Sequence, residues 1–242
     1  MNVIYIVGIG PGSMEMMTGQ AMRVLEESDV IIGYSVYLEL LRECFGEREM
    51  LSTPMRQEVE RCRMAYEKAM QGRRVAVVCS GDAGIYGLVS LMYELLPEYQ
   101  GVRLSVIPGI TAASSGAACL GAPIGNDFCV ISLSDQLTPW EQIEKRLRAA
   151  VSADFCIVLY NPASRKRTEH LKRACDILLE TAEGERPCGY VENIGRSGTE
   201  IVVCPLRELR EAPVNMFTTV FIGNSQSVVI DGRLVTKRGY RI

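Results

Sequence analysis

The chain has 242 residues, of which 48% are hydrophobic and 23% charged, and its net charge is −3. That balance belongs to a folded globular protein and excludes a disordered chain. The slight negative charge excludes general attraction to nucleic acid or to anionic membranes, both of which reward a basic surface.

The apolar runs at 3–7 and 75–79 are strand-length and far short of a bilayer span, and no basic region followed by a cleavable apolar segment opens the chain, so a cytoplasmic location is expected. In chain order, short β-branched runs alternate with helical patterns. Strands are predicted at 3–7, 30–32, 75–79 and 104–107, and helices near 18–27, 36–44, 56–71 and 85–96. That rhythm predicts a mostly parallel sheet covered by helices. Turn-formers crowd 121–126, which sets the expected boundary between a domain 1–121 and a domain 122–242. The second domain is expected to hold strands near 128–133, 155–160, 188–191, 200–204 and 217–222, with helices near 140–150 and 168–181. Asp231-Gly232 supplies the positive φ angles of a tight turn and predicts a closing hairpin, which makes a mixed sheet the expectation for this half.

Nine cysteines are scattered, odd in number and without Cys-x-x-Cys spacing, so reduced, mostly buried thiols are expected. His170 is the only histidine, which leaves no histidine cluster for a metal held by the protein and removes the usual partner of a serine or cysteine nucleophile unless it sits in the site.

Five segments carry candidate chemistry. Gly8-Ile9-Gly10-Pro11-Gly12-Ser13 follows the first strand, where a glycine-rich loop can bring its backbone against a ligand. A dinucleotide site is opposed by Ser13 in place of a third glycine, by Pro11, which removes an amide, and by Tyr34 where an acid would bind ribose. Ser80-Gly81-Asp82-Ala83-Gly84-Ile85-Tyr86-Gly87 follows another strand, with Asp82 read as a helix cap, as a ligand contact, or as both. Residues 108–118 open a helix of small residues, suited to close packing or to a planar ligand. Ser132 to Trp140 forms a hydroxyl-rich loop in which Thr138 and Pro139 suit the N-cap and first helical position. Finally, Arg165, Lys166 and Arg167 fall at the expected start of a helix, where the dipole disfavours positive charge and something anionic could compensate.

In their order and spacing these segments resemble the tetrapyrrole (corrin and porphyrin) methylase family across essentially the whole chain. The resemblance is carried by Gly8 to Gly12, Gly81-Asp82-Ala83, Pro108 to Ala112 and Tyr160-Asn161. Ala83, the 132–140 loop, Tyr160-Asn161-Pro162 with Ser164-Arg165, and Arg238-Gly239-Tyr240 look like its C17-methyltransferase branch, whose members act on precorrin-3B or cobalt-factor III. The resemblance implies an α/β protein of the tetrapyrrole methylase fold: two α/β domains with the active site, and S-adenosylmethionine, in the cleft between them, and usually a homodimer. It implies methylation at C17 with ring contraction in cobalamin biosynthesis, and S-adenosylhomocysteine as product.

Carried over residue by residue, cofactor contacts fall on Pro11, Ser80, Gly81, Asp82, Ile85, Thr111, Ala112, Asn161 and Gly195. Substrate contacts fall on Ser132, Ser134 and Arg165, with Asn126 and Asn224 as further candidates, and Asp135 is the candidate general acid or base. Any cobalt is expected inside the substrate, with no metal bound by the protein. Methyl transfer from a sulfonium is an in-line displacement needing positioning and exclusion of water, and no enzyme nucleophile. The rival readings are a methylase of another tetrapyrrole position or of RNA or protein, a nicotinamide-dependent oxidoreductase, and a non-catalytic tetrapyrrole carrier.

Overall fold

The structure is a computed structural model that describes residues 2–54 and 56–241. It divides into two compact units, 1–111 and 112–242.

The first unit runs β1 (Asn2–Gly8), α1 (Gly19–Glu27), β2 (Val30–Tyr34), α2 (Ser35–Phe45), β3 (Glu49–Thr53), α3 (Glu58–Met70), β4 (Val75–Cys79), α4 (Val89–Leu95) and β5 (Val102–Ile107). All five strands are parallel in the order β3-β2-β4-β1-β5. Every side chain of β4 is buried, as a continuous apolar run covered by helices on both faces requires. One face packs Ile4, Ile6, Val77 and Tyr66 together, and the other Val7, Ile31, Leu41 and Val78. Thr18 caps α1 by accepting a hydrogen bond from the Ala21 amide at 3.1 Å. The edge strand β3 escaped the sequence reading, because its Glu-Met-Leu-Ser-Thr run lacks the continuous apolar signal of the central strands.

The second unit runs α5 (Ala112–Leu120), β6 (Gly121–Ala122), β7 (Phe128–Ser132), α6 (Trp140–Ser152), β8 (Cys156–Tyr160), α7 (His170–Leu179), β9 (Pro187–Glu192), β10 (Glu200–Pro205), α8 (Leu206–Leu209), β11 (Thr218–Ile222), β12 (Ser227–Ile230) and β13 (Arg233–Thr236). Its main sheet has the order β10-β9-β11-β8-β7, with β7 and β8 parallel and the remaining pairs antiparallel. The expected mixed sheet and hairpin are both present, the turn carrying φ of 48° at Asp231 and 69° at Gly232. A small sheet, β12-β13-β6, completes the unit.

The break between units falls at Thr111–Ala112 and not at 121–122. The physical reason is α5: its Ala113, Ala117 and Leu120 are buried with Val158, Val191, Phe221 and Leu234, all from the second unit. A Cβ on Gly116 would stand 2.8 Å from the Phe221 ring, so the small residues of this helix serve close packing on the sheet. Among the described residues no helix is long and apolar enough to cross a membrane. All nine cysteines are free thiols, five of them buried.

Candidate functional site

Parallel neighbouring strands end on the same edge of their sheet, and in open α/β sheets ligands gather at that carboxyl edge. In the first unit β1 lies between β4 and β5, so the turns after these three strands become neighbours although they are far apart in sequence. The Gly10 amide donates to Gly81 O at 3.1 Å, and the Gly81 amide donates back to Gly10 O at 2.7 Å. Gly10 and Gly81 have φ of 75° and 70°, which an L side chain rarely adopts. A Cβ on Gly109 would stand 2.1 Å from Gly81 O, and one on Gly8 would stand 2.7 Å from both Gly81 O and Gly109 N. The glycines therefore let three turns touch backbone to backbone.

Asp82 joins this edge in a different way from a helix cap. The nearest helix, α4, begins only at Val89, so the capping reading fails. Its carboxylate instead accepts hydrogen bonds from the Gly84 amide at 2.8 Å and the Gly109 amide at 2.9 Å, tying the β4 turn to the β5 turn. Pro11 and Gly81 are buried, while Ser80 and Thr111 are half-buried. Ile85 and Ile110 keep apolar surface open beside these polar groups, at 38% and 36% exposure. Thus Pro11, Ser80, Gly81, Asp82, Ile85 and Thr111 all lie on the turns at the carboxyl edge of one sheet.

In the second unit the parallel pair β7 and β8 repeats the arrangement with side chains. The Asn161 amide nitrogen donates to Ser132 Oγ at 2.9 Å, and Ser132 Oγ also accepts from the Ser134 amide at 3.2 Å. Asn161 holds a positive φ of 54°, which asparagine tolerates better than most residues. The phenol oxygen of Tyr160 accepts from the Ala113 amide at 2.7 Å, so Ala112 starts its helix beside the end of β8. Because β9 runs in the same direction as β8, the turn that holds Gly195, with φ of 68°, belongs to this edge too.

Asp135 and His170 meet here. His170 Nε2 lies 3.0 Å from Asp135 Oδ2, within ion-pair distance but off the line of a hydrogen bond, and among the described residues Nδ1 is buried without a partner. The imidazole holds the Asp135 carboxyl below the usual carboxylate range against the opposing effect of its partial burial, and Arg167 acts in the same direction. His170 is buried edge-on to Trp140 at 5.1 Å between ring centroids, and Arg173 covers the Trp140 ring at 4.0 Å. Trp140 is thus a core anchor. Helix α6 begins at Trp140 itself with Pro139 at the cap, so Thr138 is not the cap the sequence suggested.

Arg165, Lys166 and Arg167 do not sit in a first helical turn. They occupy the turn closed by mutual hydrogen bonds between Ser164 and Arg167, ahead of α7, which removes the dipole argument. Arg165 and Lys166 are exposed, and among the described residues neither makes an ion pair. Arg165 lines a groove of about 610 Å³ with Ser164, Lys172, Asn215 and Phe217.

Asn126 and Asn224 do not join the other candidates. Asn126 precedes β7 and accepts from the Asp127 amide; Asn224 follows β11, is buried, and donates to Asp154 O at 3.1 Å ahead of β8. Both therefore lie at the amino edge of β7 and β8, a strand length of about 17 Å from the carboxyl edge. Strand direction decides this, and a local pattern does not carry it. Among the described residues, no three acidic, histidine or cysteine side chains cluster as metal ligands.

A parallel α/β unit with glycine turns at its carboxyl edge, followed by a mixed α/β unit with a hydroxyl-rich edge, defines a two-unit α/β protein with ligand-facing strand ends. The chain belongs to the tetrapyrrole (corrin/porphyrin) methylases, whose family model matches residues 3–210. It is 43% identical over 99% of its length to a probable cobalt-factor III C(17)-methyltransferase of Salmonella typhimurium, and covers 100% of that protein. It is 44% identical over 98% of its length to a cobalt-factor III methyltransferase of Priestia megaterium, of which it spans 45%. The crystal structure of the methyltransferase CobJ superposes with a TM-score of 0.91 at 35% identity, covering 98% of this chain and 100% of that one. A uroporphyrin-III C-methyltransferase from Thermus thermophilus, solved with S-adenosyl homocysteine, shares the fold at a TM-score of 0.71 and 21% identity, over 91% of this chain and 96% of that one.

Proposed function

We propose that this chain transfers a methyl group from S-adenosylmethionine to C17 of cobalt-factor III or precorrin-3B, with ring contraction, in cobalamin biosynthesis. The observation that carries this reading is 43% identity along essentially the full length of both this chain and the Salmonella relative. The names of the two relatives favour cobalt-factor III, with cobalt arriving as part of the substrate. Membership of the methylase family removes the support for the oxidoreductase reading.

The carboxyl edge of the first unit fits an adenosyl sulfonium cofactor: open apolar surface at Ile85 and Ile110 suits a purine, beside polar groups on Ser80, Asp82 and Thr111. When bound, that cofactor supplies an electrophilic methyl group. Gly10, Gly81 and Gly109 fix the edge in one shape, so ordering costs little at the moment of binding. Asn161, Gly195 and Ala112 are assigned to the same cofactor from the second unit. Ser132 and Ser134 present polar groups to the macrocycle, and Arg165 takes one of its carboxylates through a charge-assisted, forked contact. Asp135, kept ionised beside His170, is a proton acceptor and not a donor near neutral pH. Asn126 and Asn224 have no part in this scheme. A cytoplasmic homodimer completes the proposal.

Incubation of the purified protein with cobalt-factor III or precorrin-3B and S-adenosylmethionine, followed by mass spectrometry, tests it. The expected product is heavier by one methyl group and carries a contracted ring. A methylated product with substitution elsewhere on the macrocycle would leave the family reading standing and remove the C17 assignment.

A further inference from the structure

Arg61 is a charge that the fold leaves unanswered. It lies on α3 at the i, i+4, i+8 stripe shared with Ala65 and Ala69, and only 4% of it is exposed. Its Nη2 donates to Thr53 O and Pro54 O, both at 3.2 Å, which fastens the turn after β3 to the helix. That role accounts for one nitrogen of the guanidinium. Among the described residues the Nε is buried with no partner, and no carboxylate lies within ion-pair distance. A buried cation without a counter-charge is unfavourable, and a guanidinium left with unused donors suits a planar anion.

The same side chain lines a cavity of about 180 Å³ with Tyr34, Tyr37, Glu58, Ser80 and Tyr86. Sites for whole small molecules run to about 300–1,000 Å³, so this one admits an arm of a ligand and not an entire cofactor or macrocycle. Ser80 links it to the edge already described, since Gly81 follows directly. Tyr86 reaches the cavity wall from a backbone φ of 54°, a conformation costly for an aromatic residue and found where a site constrains the chain. The Tyr34 ring stands 6.0 Å from the guanidinium carbon, and Tyr34 and Tyr37 meet edge to face at 5.5 Å.

We infer that this cavity is a carboxylate-binding subsite in which buried Arg61 supplies the counter-charge and the tyrosine-lined wall encloses the arm. The carboxylate belongs either to an acetate or propionate arm of the tetrapyrrole or to the amino-acid tail of the cofactor, an assignment that rests on the proposed function. The existence of the subsite does not.

Thermal melting in propionate against the same ionic strength of chloride reads the subsite directly, because a ligand that binds only the folded state raises its melting temperature. The wild type is expected to melt higher in propionate. Arg61→Met is expected to lose that response by roughly tenfold or more in apparent affinity. Glu58→Gln, which removes the one negative charge lining the cavity, is expected to strengthen it. An equal response in propionate and chloride for the wild type would overturn the subsite, as would an undiminished response in folded Arg61→Met. If Arg61→Met does not fold, an unchanged response in Glu58→Gln overturns it as well. Titration of S-adenosylhomocysteine and of uroporphyrin, a tetrapyrrole bearing acetate and propionate arms, then names the source: the ligand whose affinity falls in the Arg61 variant is the one that occupies the cavity. A wild type that responds to propionate but binds neither of these ligands would remove the proposed function and leave the subsite.

Discussion

The two units solve the same geometric problem with different materials. In each, adjacent parallel strands bring their carboxyl ends to one edge, β4-β1-β5 in the first and β7-β8 in the second. In the first unit that edge is backbone packed on backbone, with glycines where any Cβ would collide and the Asp82 carboxylate pinned to two amides. In the second it is made of side chains: Asn161 on Ser132, His170 beside Asp135, and Arg165 exposed with no ion pair among the described residues. A backbone edge offers a fixed shape, whereas a side-chain edge offers charge and hydrogen-bonding groups that can answer a ligand. Under the proposed function the backbone edge takes the cofactor, while Ser132, Ser134 and Arg165 of the second unit face the substrate.

The contrast breaks most directly at Gly109. Gly109→Ala places a methyl group against Gly81 O, a backbone atom that cannot rotate away, and should cost about 3 kcal/mol in chemical denaturation. A tolerated alanine there would mean that the first edge is not closed by backbone contact. Asp82→Asn retains the side-chain shape but cannot accept from two amides with a full negative charge. A loss of about 2 kcal/mol is expected, together with weaker binding of S-adenosylhomocysteine in calorimetry.

Changes at Arg165 and Asp135 should be smaller, and the one at Arg165 should fall on the tetrapyrrole. Arg165→Ala is expected to weaken tetrapyrrole binding about tenfold, or about 1.4 kcal/mol, with little effect on S-adenosylhomocysteine. Equal losses for both ligands would erase the distinction between the edges. Asp135→Asn should cost less than about 1 kcal/mol, since the side chain is 35% exposed and solvent screens its pairing. Its pH dependence sharpens the point. A carboxyl held below its usual range adds stability above its unfolded value of about 3.9, and that stability drains away as pH falls through the lower folded value. Melting curves of wild type and Asp135→Asn should therefore differ at neutral pH and converge in acid.

Much of this protein could be read locally. The buried strands, the amphipathic helices and the Asp231-Gly232 hairpin follow from hydrophobic period and turn chemistry, and the ordered glycine, hydroxyl and asparagine segments carried the family resemblance. The misreadings share a cause. The cap reading of Asp82 rests on its place before a helix, but one of its two partners is the Gly109 amide, 27 residues away. Asn126 and Asn224 are site candidates only through the family resemblance, while the direction of β7 and β11 puts them at the opposite edge. Arg61 left one signal that went unused, a charged residue on the otherwise small and apolar stripe of Ala65 and Ala69. The pairing of His170 with Asp135 left none, since it joins a loop to a helix across the sequence.

The sequence by itself determined the buried strands, the main helices and the glycine turns, though not the edge strand β3, because those choices depend on residues a few positions apart. Tertiary structure alone decided that β1 lies between β4 and β5, that α5 belongs to the second unit, and that Arg61 is buried beside a cavity. Strand neighbours and strand direction are fixed by burial shared between distant segments, and the period of a single segment is the same whichever neighbour it finds.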